Sequence, residues 1–391
     1  MSEITRLTVD PLVTAVTDLL GASPDGSAAP PGALVAVAEG GRVRYAAGGL
    51  ARHGTAGGTA VTSGSLTRHS TAGRPVEMSW ATRTDAGSVS KVVGTTAALM
   101  ALVDAGEVTL DAPIARHLPE LDRHGTVRDL LEHRAGRWEW WPLYLKGVRG
   151  DDAVSLAARL PLRYRPGERR HYSDLGFILL GALVARVGGD LAAAVDELVL
   201  RPFGLTETRY ATPAPGGPVA ASSPGDTIEQ DMIRTGVPYP VDGAVTDFDG
   251  WRDHVLVGEV NDGNAFHAFD GVAGHAGLFT TAADLLRFAT GLLSRLDGDG
   301  PIRRDTVAEF LTAGADPHQA LGFRVWDLPS GPAVGHTGFP GVAFAVLPEH
   351  RAGVVMITNR LHAGGPPRAT ERMWLRVLAA AEDHLRRPRW T

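Results

Sequence analysis

Strand-forming segments lie at the two ends of this 391-residue chain, with a long run of helix and loop between them. Near the start, PGALVAVAEGGRVRYAAGGLA reads as a β-hairpin: Ala33 to Ala38, a Gly40-Gly41 turn, then alternation from Val43 to Ala47. Near the end, LGFRVWDL, PAVGHTG, VAFAVLPE and AGVVMITNR are short, strand-like and joined by turn residues. Neither end holds enough strands for an independent sheet, so the economical solution is one antiparallel sheet built from both ends of the chain. The middle then forms a second, mainly helical lobe from TVRDLLEHRAG, DDAVSLAARL, LGFILLGALVARVGG, LAAAVDELVLRPFG and TTAADLLRFATGLLSRL. The predicted division is residues 1–85 with 285–391 for the sheet domain and 86–284 for the helical one, with the active site at their interface. In class this is an α/β (α+β) fold, an antiparallel sheet flanked by helices plus an all-helical lobe. Length agrees, since 391 residues exceed what one hydrophobic core usually fills.

Three further segments complete the pattern. Residues 8–21 (TVDPLVTAVTDLLG) and ATERMWLRVLAAAEDHLRR have apolar residues at helical spacing. Ser88 to Ala105 reads as a buried helix stopped by Gly106, and the Gly/Thr/Ser-rich stretch 53–75 as a long loop.

Composition removes several classes of function. A chain that is 44% hydrophobic and 21% charged is not a disordered one. Its net charge of -6 argues against a nucleic-acid surface, which needs a basic face to neutralise phosphates, and no polybasic membrane patch is visible. The absence of cysteine excludes disulfides, thiolate nucleophiles and thiolate metal sites. No H-E-x-x-H is present, the 14 histidines do not cluster at ligand spacing, and no dinucleotide or Walker A fingerprint occurs, so neither metal nor cofactor is expected. MSEITRLTVDPLVTAV does not read as a secretory signal, and no apolar window reaches membrane-spanning length, so the expected location is the cytoplasm.

The chemistry is concentrated in three short segments. The first is AGSVSKVVGTT, which holds Lys91, one of only two lysines among 38 cationic side chains. Ser88 and Lys91 are three apart, a spacing that puts both on one face of a helix. A serine hydroxyl becomes a good nucleophile when a base takes its proton, and a neutral lysine can be that base. Burial and the positive potential of a first helical turn both favour the neutral amine. Arginine cannot substitute, because its guanidinium stays protonated. The second segment is HYSDLGFILLG, where Tyr172 is suited to relaying protons to a leaving group and Asp174 to hydrogen-bonding Lys91. The third is GHTGFPG, whose His336 brings a polar or positive group beside a cleft and whose glycines let a strand approach a ligand closely. Each segment alone has an ordinary explanation as a helix cap or a turn. The Gly-x-Ser-x-Gly elbow of α/β-hydrolases is absent around Ser88.

Taken together and in this order, Ser88-Val-Ser-Lys91, Tyr172-Ser-Asp174 and His336-Thr-Gly338 resemble the serine β-lactamase and penicillin-binding-protein superfamily. The resemblance is to its class C branch, with the family VIII carboxylesterases and D,D-peptidases. TVRDLLEHRAG, RPFGLTETRY and GVAGHAGLFTTAADLLRFA are similar to segments of that family, so it extends over roughly residues 30 to 360. It implies a β-lactamase/transpeptidase-like fold and an acyl-enzyme mechanism: Ser88 attacks a carbonyl and Lys91 with Tyr172 moves the proton. It further implies that the backbone N–H groups of Ser88 and Phe339 hold the oxyanion, with Asp174, His336, Thr337 and Gly338 along the substrate. RWEWWPLYL lies where the family's cleft is approached, so Trp138, Trp140 and Trp141 are candidates for an apolar pocket, with packing between lobes as the alternative. His275 in GVAGHAG is read as structural, or as a hydrogen-bonding support for the site.

Two departures shift the expected substrate. Where β-lactamases of this branch have Tyr-x-Asn, this chain has Asp174, and where they have Lys-Thr-Gly it has His336. Both point away from β-lactam hydrolysis and toward an esterase or acyltransferase acting on a small-molecule ester or amide. The alternatives are a D,D-peptidase, muropeptide amidase or β-lactamase using the same residues, and a catalytically silent ligand-binding homologue.

Overall fold

The computed structural model describes residues 10–54, 74–119, 125–210 and 217–386. Seven strands form its main sheet: β1 (Gly32–Glu39), β2 (Arg42–Arg52), β3 (Val76–Glu77), β4 (Arg324–Leu328), β5 (Gly331–Gly338), β6 (Val342–Leu347) and β7 (Ala352–Thr358). Their order across the sheet is β3-β2-β1-β7-β6-β5-β4, with every neighbouring pair antiparallel. Both ends of the chain therefore meet at β1 and β7, where Ala33 to Glu39 run against Thr358 to Ala352. The expected sheet built from both ends of the chain is present, beside two small ones among the described residues, Thr84–Asp85 and Arg209–Tyr210 on Leu278–Thr280, and Ala221–Pro224 on Val255–Val257. Most of the long loop expected at 53–75 lies outside the described residues.

Strand periodicity explains why the sheet is covered on both faces. In β1, Ala33, Val35 and Val37 join the core beneath helices Pro11–Leu20 and Thr370–Arg386, while Leu34, Ala36 and Ala38 join the core on the other side. β6 divides in the same way, with Ala343, Ala345 and Leu347 on one face and Val342, Phe344 and Val346 on the other. Successive strand side chains point to opposite faces, so two covered faces require a run that is apolar at every position. Helix Ala282–Leu296 packs on the second face, against β7, β6 and β1.

Beyond that face lie the buried helix Ala97–Asp104 and the apolar helix Asp174–Gly188, whose cap is the Ser173 hydroxyl accepting the Gly176 N–H at 3.0 Å. Asp174 thereby becomes the first residue of a core helix, with its backbone N–H donated to the Glu139 carbonyl at 2.8 Å. Shorter helices follow, including Thr227–Thr235, which the sequence reading did not single out. Among the described residues, no single helix is long and apolar enough to cross a membrane.

Candidate active site

The short strand Thr84–Asp85 turns through Gly87, whose φ of +50° lies in the left-handed region where a side chain is strained. A Cβ there would also meet Pro340 Cδ at 2.4 Å. The Asp85 carboxylate clamps this corner, accepting the Gly87 N–H at 2.8 Å and the Asn261 N–H at 2.7 Å. Burial pushes its carboxyl up to about 6, against the pull of those two amides.

After the corner the chain makes a tight 3-10 turn, Gly87–Val89, and then a wide π-helical stretch, Lys91–Thr96. The two irregularities keep Ser88 and Lys91 together: Nζ lies 2.8 Å from the Ser88 hydroxyl oxygen. Ser88 is half-buried, whereas Lys91 has 0% exposure. The Nζ also lies 2.7 Å from Asp174 Oδ1 and donates to the His275 carbonyl at 3.1 Å. The ammonium is thus set among the Ser88 hydroxyl, the His275 carbonyl and the Asp174 carboxylate.

This corrects the expectation of a neutral resting amine. Burial does favour the neutral form, but the Asp174 carboxylate, with Tyr172 beside it, outweighs burial and holds the Lys91 ammonium above its usual range. Asp174, read both as a partner of Lys91 and, by the resemblance, as lying along the substrate, is the counter-ion of Lys91 and also borders the cleft.

Tyr172 hydrogen-bonds both Ser88 and Lys91 through its hydroxyl, and burial keeps it a neutral phenol against the pull of the ammonium. Two histidine rings back it, His133 at 4.5 Å and His336 at 5.9 Å between centroids. His133 Nδ1 accepts the Ser173 N–H at 3.0 Å, so its proton is on Nε2. His336 Nδ1 faces the Thr337 carbonyl at 2.7 Å, and a carbonyl can only accept, so that nitrogen carries the proton. Burial, reinforced by nearby cations including Lys91, holds both rings well below the usual histidine range and therefore neutral. The expected positive or substrate-touching role for His336 is thus corrected: it is 2% exposed and sits behind Tyr172.

The end of β5 closes the other side of Ser88. A Cβ on Gly338 would lie 2.3 Å from the Ala86 carbonyl oxygen and 3.6 Å from the Ser88 nitrogen, and one on Gly87 3.2 Å from the Phe339 nitrogen. The Ser88 and Phe339 amides are thereby brought to one edge of the cleft, and among the described residues neither is spent on a backbone acceptor. Arg360 fixes the segment from behind, donating Nη1 to the Phe339 carbonyl at 2.8 Å and Nε to the Arg368 carbonyl at 2.7 Å. Burial lowers that guanidinium to about 10, so it stays charged at neutral pH.

Gly338→Ala is therefore expected to force β5 away from Ser88 and to separate the two amides. Loss of one oxyanion donor costs on the order of 10²–10³ in turnover. Steady-state kinetics on folded Gly338→Ala protein should show that drop in kcat, and a change of less than about threefold would contradict this arrangement.

The cleft in front of Ser88 has a volume of about 230 Å³, and Tyr172, Asp174, Trp140, Phe339 and Pro340 line it. Of the three candidate tryptophans only Trp140 borders it. Trp138 and Trp141 pack on each other at 5.0 Å, and the Trp138 N–H is donated to the Pro161 carbonyl at 2.8 Å, so this pair serves packing. Thr337 and Gly338 are not among the described lining residues either; they place Phe339.

Sequence reasoning missed the acidic part of the lining, made by Asp85, Asp226, Glu229 and Asp262 with Asn261. Asp226 pairs with Arg252 at 2.6 Å and His267 at 3.0 Å, which bring its carboxyl down to about 2 although burial alone would raise it. His275 turns out to anchor both sides, with its carbonyl on Lys91 and its Nε2 2.8 Å from Asp262 Oδ1.

The chain is similar to several known proteins. The model of the Beta-lactamase family matches residues 15–378. An N-acetylmuramyl-L-alanine amidase of Bacillus subtilis (strain 168) is 29% identical over 324 residues, 74% of this chain and 70% of that protein. A protein of Escherichia coli (strain K12), provisionally named D-alanyl-D-alanine carboxypeptidase, is 30% identical over 325 residues, 74% of this chain and 72% of its own. The solved structure of EstCE1, described as a hydrolase with promiscuous acyltransferase activity, superposes with a TM-score of 0.66 at 20% identity, covering 95% of this chain and 98% of the other. With its strand order, its Ser88–Lys91–Tyr172 cluster and a family match over nearly its whole length, the chain belongs to the Beta-lactamase family of serine hydrolases.

Proposed function

We propose that this enzyme forms an acyl-enzyme on Ser88 and acts as an esterase or acyltransferase on a small ester or amide. The observation that carries the reading is the 2.8 Å contact between Lys91 Nζ and the Ser88 hydroxyl, made beside two uncommitted backbone amides. As Ser88 Oγ bonds to the substrate carbonyl carbon, its proton passes to Lys91 while Lys91 returns one of its own to Asp174, 2.7 Å away. Lys91 ends that exchange still an ammonium while Asp174 becomes neutral, and the negative charge moves to the carbonyl oxygen, where the Ser88 and Phe339 amides receive it. Tyr172, touching both Ser88 and Lys91, is placed to protonate the departing group and to regain its proton from Asp174 through Lys91. Water or a second acceptor then attacks the ester on Ser88.

Ester chemistry is preferred to β-lactam cleavage because Asp174 is committed to Lys91 and His336 is a neutral ring withdrawn behind Tyr172. The rival, cleavage of an amide bond in a muropeptide, draws support from the names of the two sequence relatives. Parallel assays with short p-nitrophenyl esters and nitrocefin separate these readings from β-lactamase activity. Ester turnover that is lost in Ser88→Ala, with nitrocefin left intact, is expected. Fast nitrocefin hydrolysis with inert esters would reverse the assignment.

A further inference from the structure

Five carboxylates line the cleft, namely Asp85, Asp174, Asp226, Glu229 and Asp262, and among its described lining residues there is no lysine, arginine or histidine. Four of the five are accounted for by the protein itself. Asp174 is paired with Lys91, Asp226 with Arg252 and His267, and Asp262 faces His275 at 2.8 Å. Asp85 accepts two backbone amides.

Glu229 differs. Its partners are the Tyr144 hydroxyl at 2.5 Å and the Gly263 N–H at 2.7 Å, and no cation pairs with it among the described residues. Tyr144, Asp226, Asp262 and Gly263 are the groups set around it. That a substrate enters this cleft is argued independently of the carboxylates, from Ser88 with its Lys91 contact and the two amides at its edge. Hydrocarbon from Trp140, Ile228, Met232, Phe339 and Pro340 makes up much of the rest of the lining.

We propose that the cleft selects small esters or amides carrying an ammonium group on a short apolar body, with Glu229, next to Asp262, as the residue that receives the ammonium. The inference deepens the hydrolase reading and rests on it for where the scissile bond lies. Burial and the neighbouring Asp262 carboxylate push the Glu229 carboxyl up to about 8, so the empty site holds a proton there. A bound ammonium replaces that proton as the positive charge between the two groups. A carboxylate on the substrate would find no lysine, arginine or histidine among the described lining residues to receive it, which disfavours acyl chains ending in an acid.

Two measurements test this. In the first, wild-type kcat/KM is compared for p-nitrophenyl esters of propanoate, β-alanine and succinate, which carry no charge, an ammonium and a carboxylate respectively. In the second, calorimetry ranks binding of propanamide, β-alaninamide and succinamate to Ser88→Ala protein, where no chemistry is needed. The β-alanine compound is expected to lead by about tenfold or more in both, and Glu229→Gln to bring the ratio toward one. Equal ranking of the neutral and ammonium compounds, or a lead for the carboxylate, would overturn the proposal. Should no ester react at all, the hydrolase reading fails, and the binding ranking alone then decides whether the ammonium site exists.

Discussion

Lys91→Arg is expected to slow acylation of Ser88 by about 10³-fold or more while leaving a folded protein. A positioned general base contributes roughly 10²–10⁴, and this substitution removes that contribution while keeping the charge. Arginine does not release a proton at any working pH. Nor does it fit: Lys91 has 0% exposure, and its Nζ is held by acceptors at 2.7, 2.8 and 3.1 Å. The larger head should cost about 1–3 kcal/mol of stability through overpacking, which a melting curve would record beside the rates. With 38 cationic side chains and only two of them lysine, the chain otherwise writes positive charge as arginine. Unchanged activity in Lys91→Arg would show that position 91 supplies charge and not proton transfer.

Asp174→Asn should act in the opposite sense on the same amine. The carboxylate 2.7 Å from Nζ is what keeps Lys91 an ammonium in a site where burial alone favours the neutral form. Without it, burial is the dominant influence left and takes the lysine pKa below its ordinary value. The amine then serves directly as the base. Acylation by the variant is expected to stay within about tenfold of wild type at its best pH but to acquire a rising limb as the lysine loses its proton.

Stability carries the matching signature. In the wild type the folded pKa of Lys91 is raised, so its contribution is complete below the unfolded value and is lost as pH climbs through the folded one. In Asp174→Asn the folded pKa lies below the unfolded one, the unfolded chain binds more protons between them, and stability rises with pH across that window. Removing one partner of a buried pair costs about 3–5 kcal/mol, less whatever neutralising the amine recovers. A flat pH profile, with the loss seen in Lys91→Arg, would mean that Asp174 is itself required for the transfer.

The catalytic cluster was legible in the sequence because local geometry carries most of it. A three-residue spacing on a helix brings Ser88 to Lys91 whether the turns are 3-10, α or π, and a polar triplet before an apolar helix delivers Tyr172 and Asp174 together. The sheet was legible too, because strands covered on both faces must be apolar at nearly every position, as β1 and β6 are.

Charge states were not legible. Whether Lys91 is neutral depends on a carboxylate 83 positions away in sequence (174 − 91). Whether His336 is positive depends on how far its ring withdraws and on the cations around it. The acidic wall was hidden for the same reason. Asp226 and Glu229 flank the start of the helix Thr227–Thr235, where acids are common for capping and dipole reasons, and nothing in their spacing says that they face Ser88. The resemblance makes Trp138, Trp140 and Trp141 pocket candidates with packing as the alternative, and Trp138 and Trp141 take the packing role, in a tight aromatic contact beside Tyr239.

The most direct test of the account is intact-mass spectrometry of folded wild-type and Lys91→Arg protein during exposure to a fluorophosphonate or an activated ester. A single adduct mapping to Ser88, formed about 10³-fold faster in the wild type, is the result predicted. A folded wild type that gains no mass, or two proteins that gain it at the same rate, would contradict the claim that Lys91 makes the Ser88 hydroxyl a nucleophile.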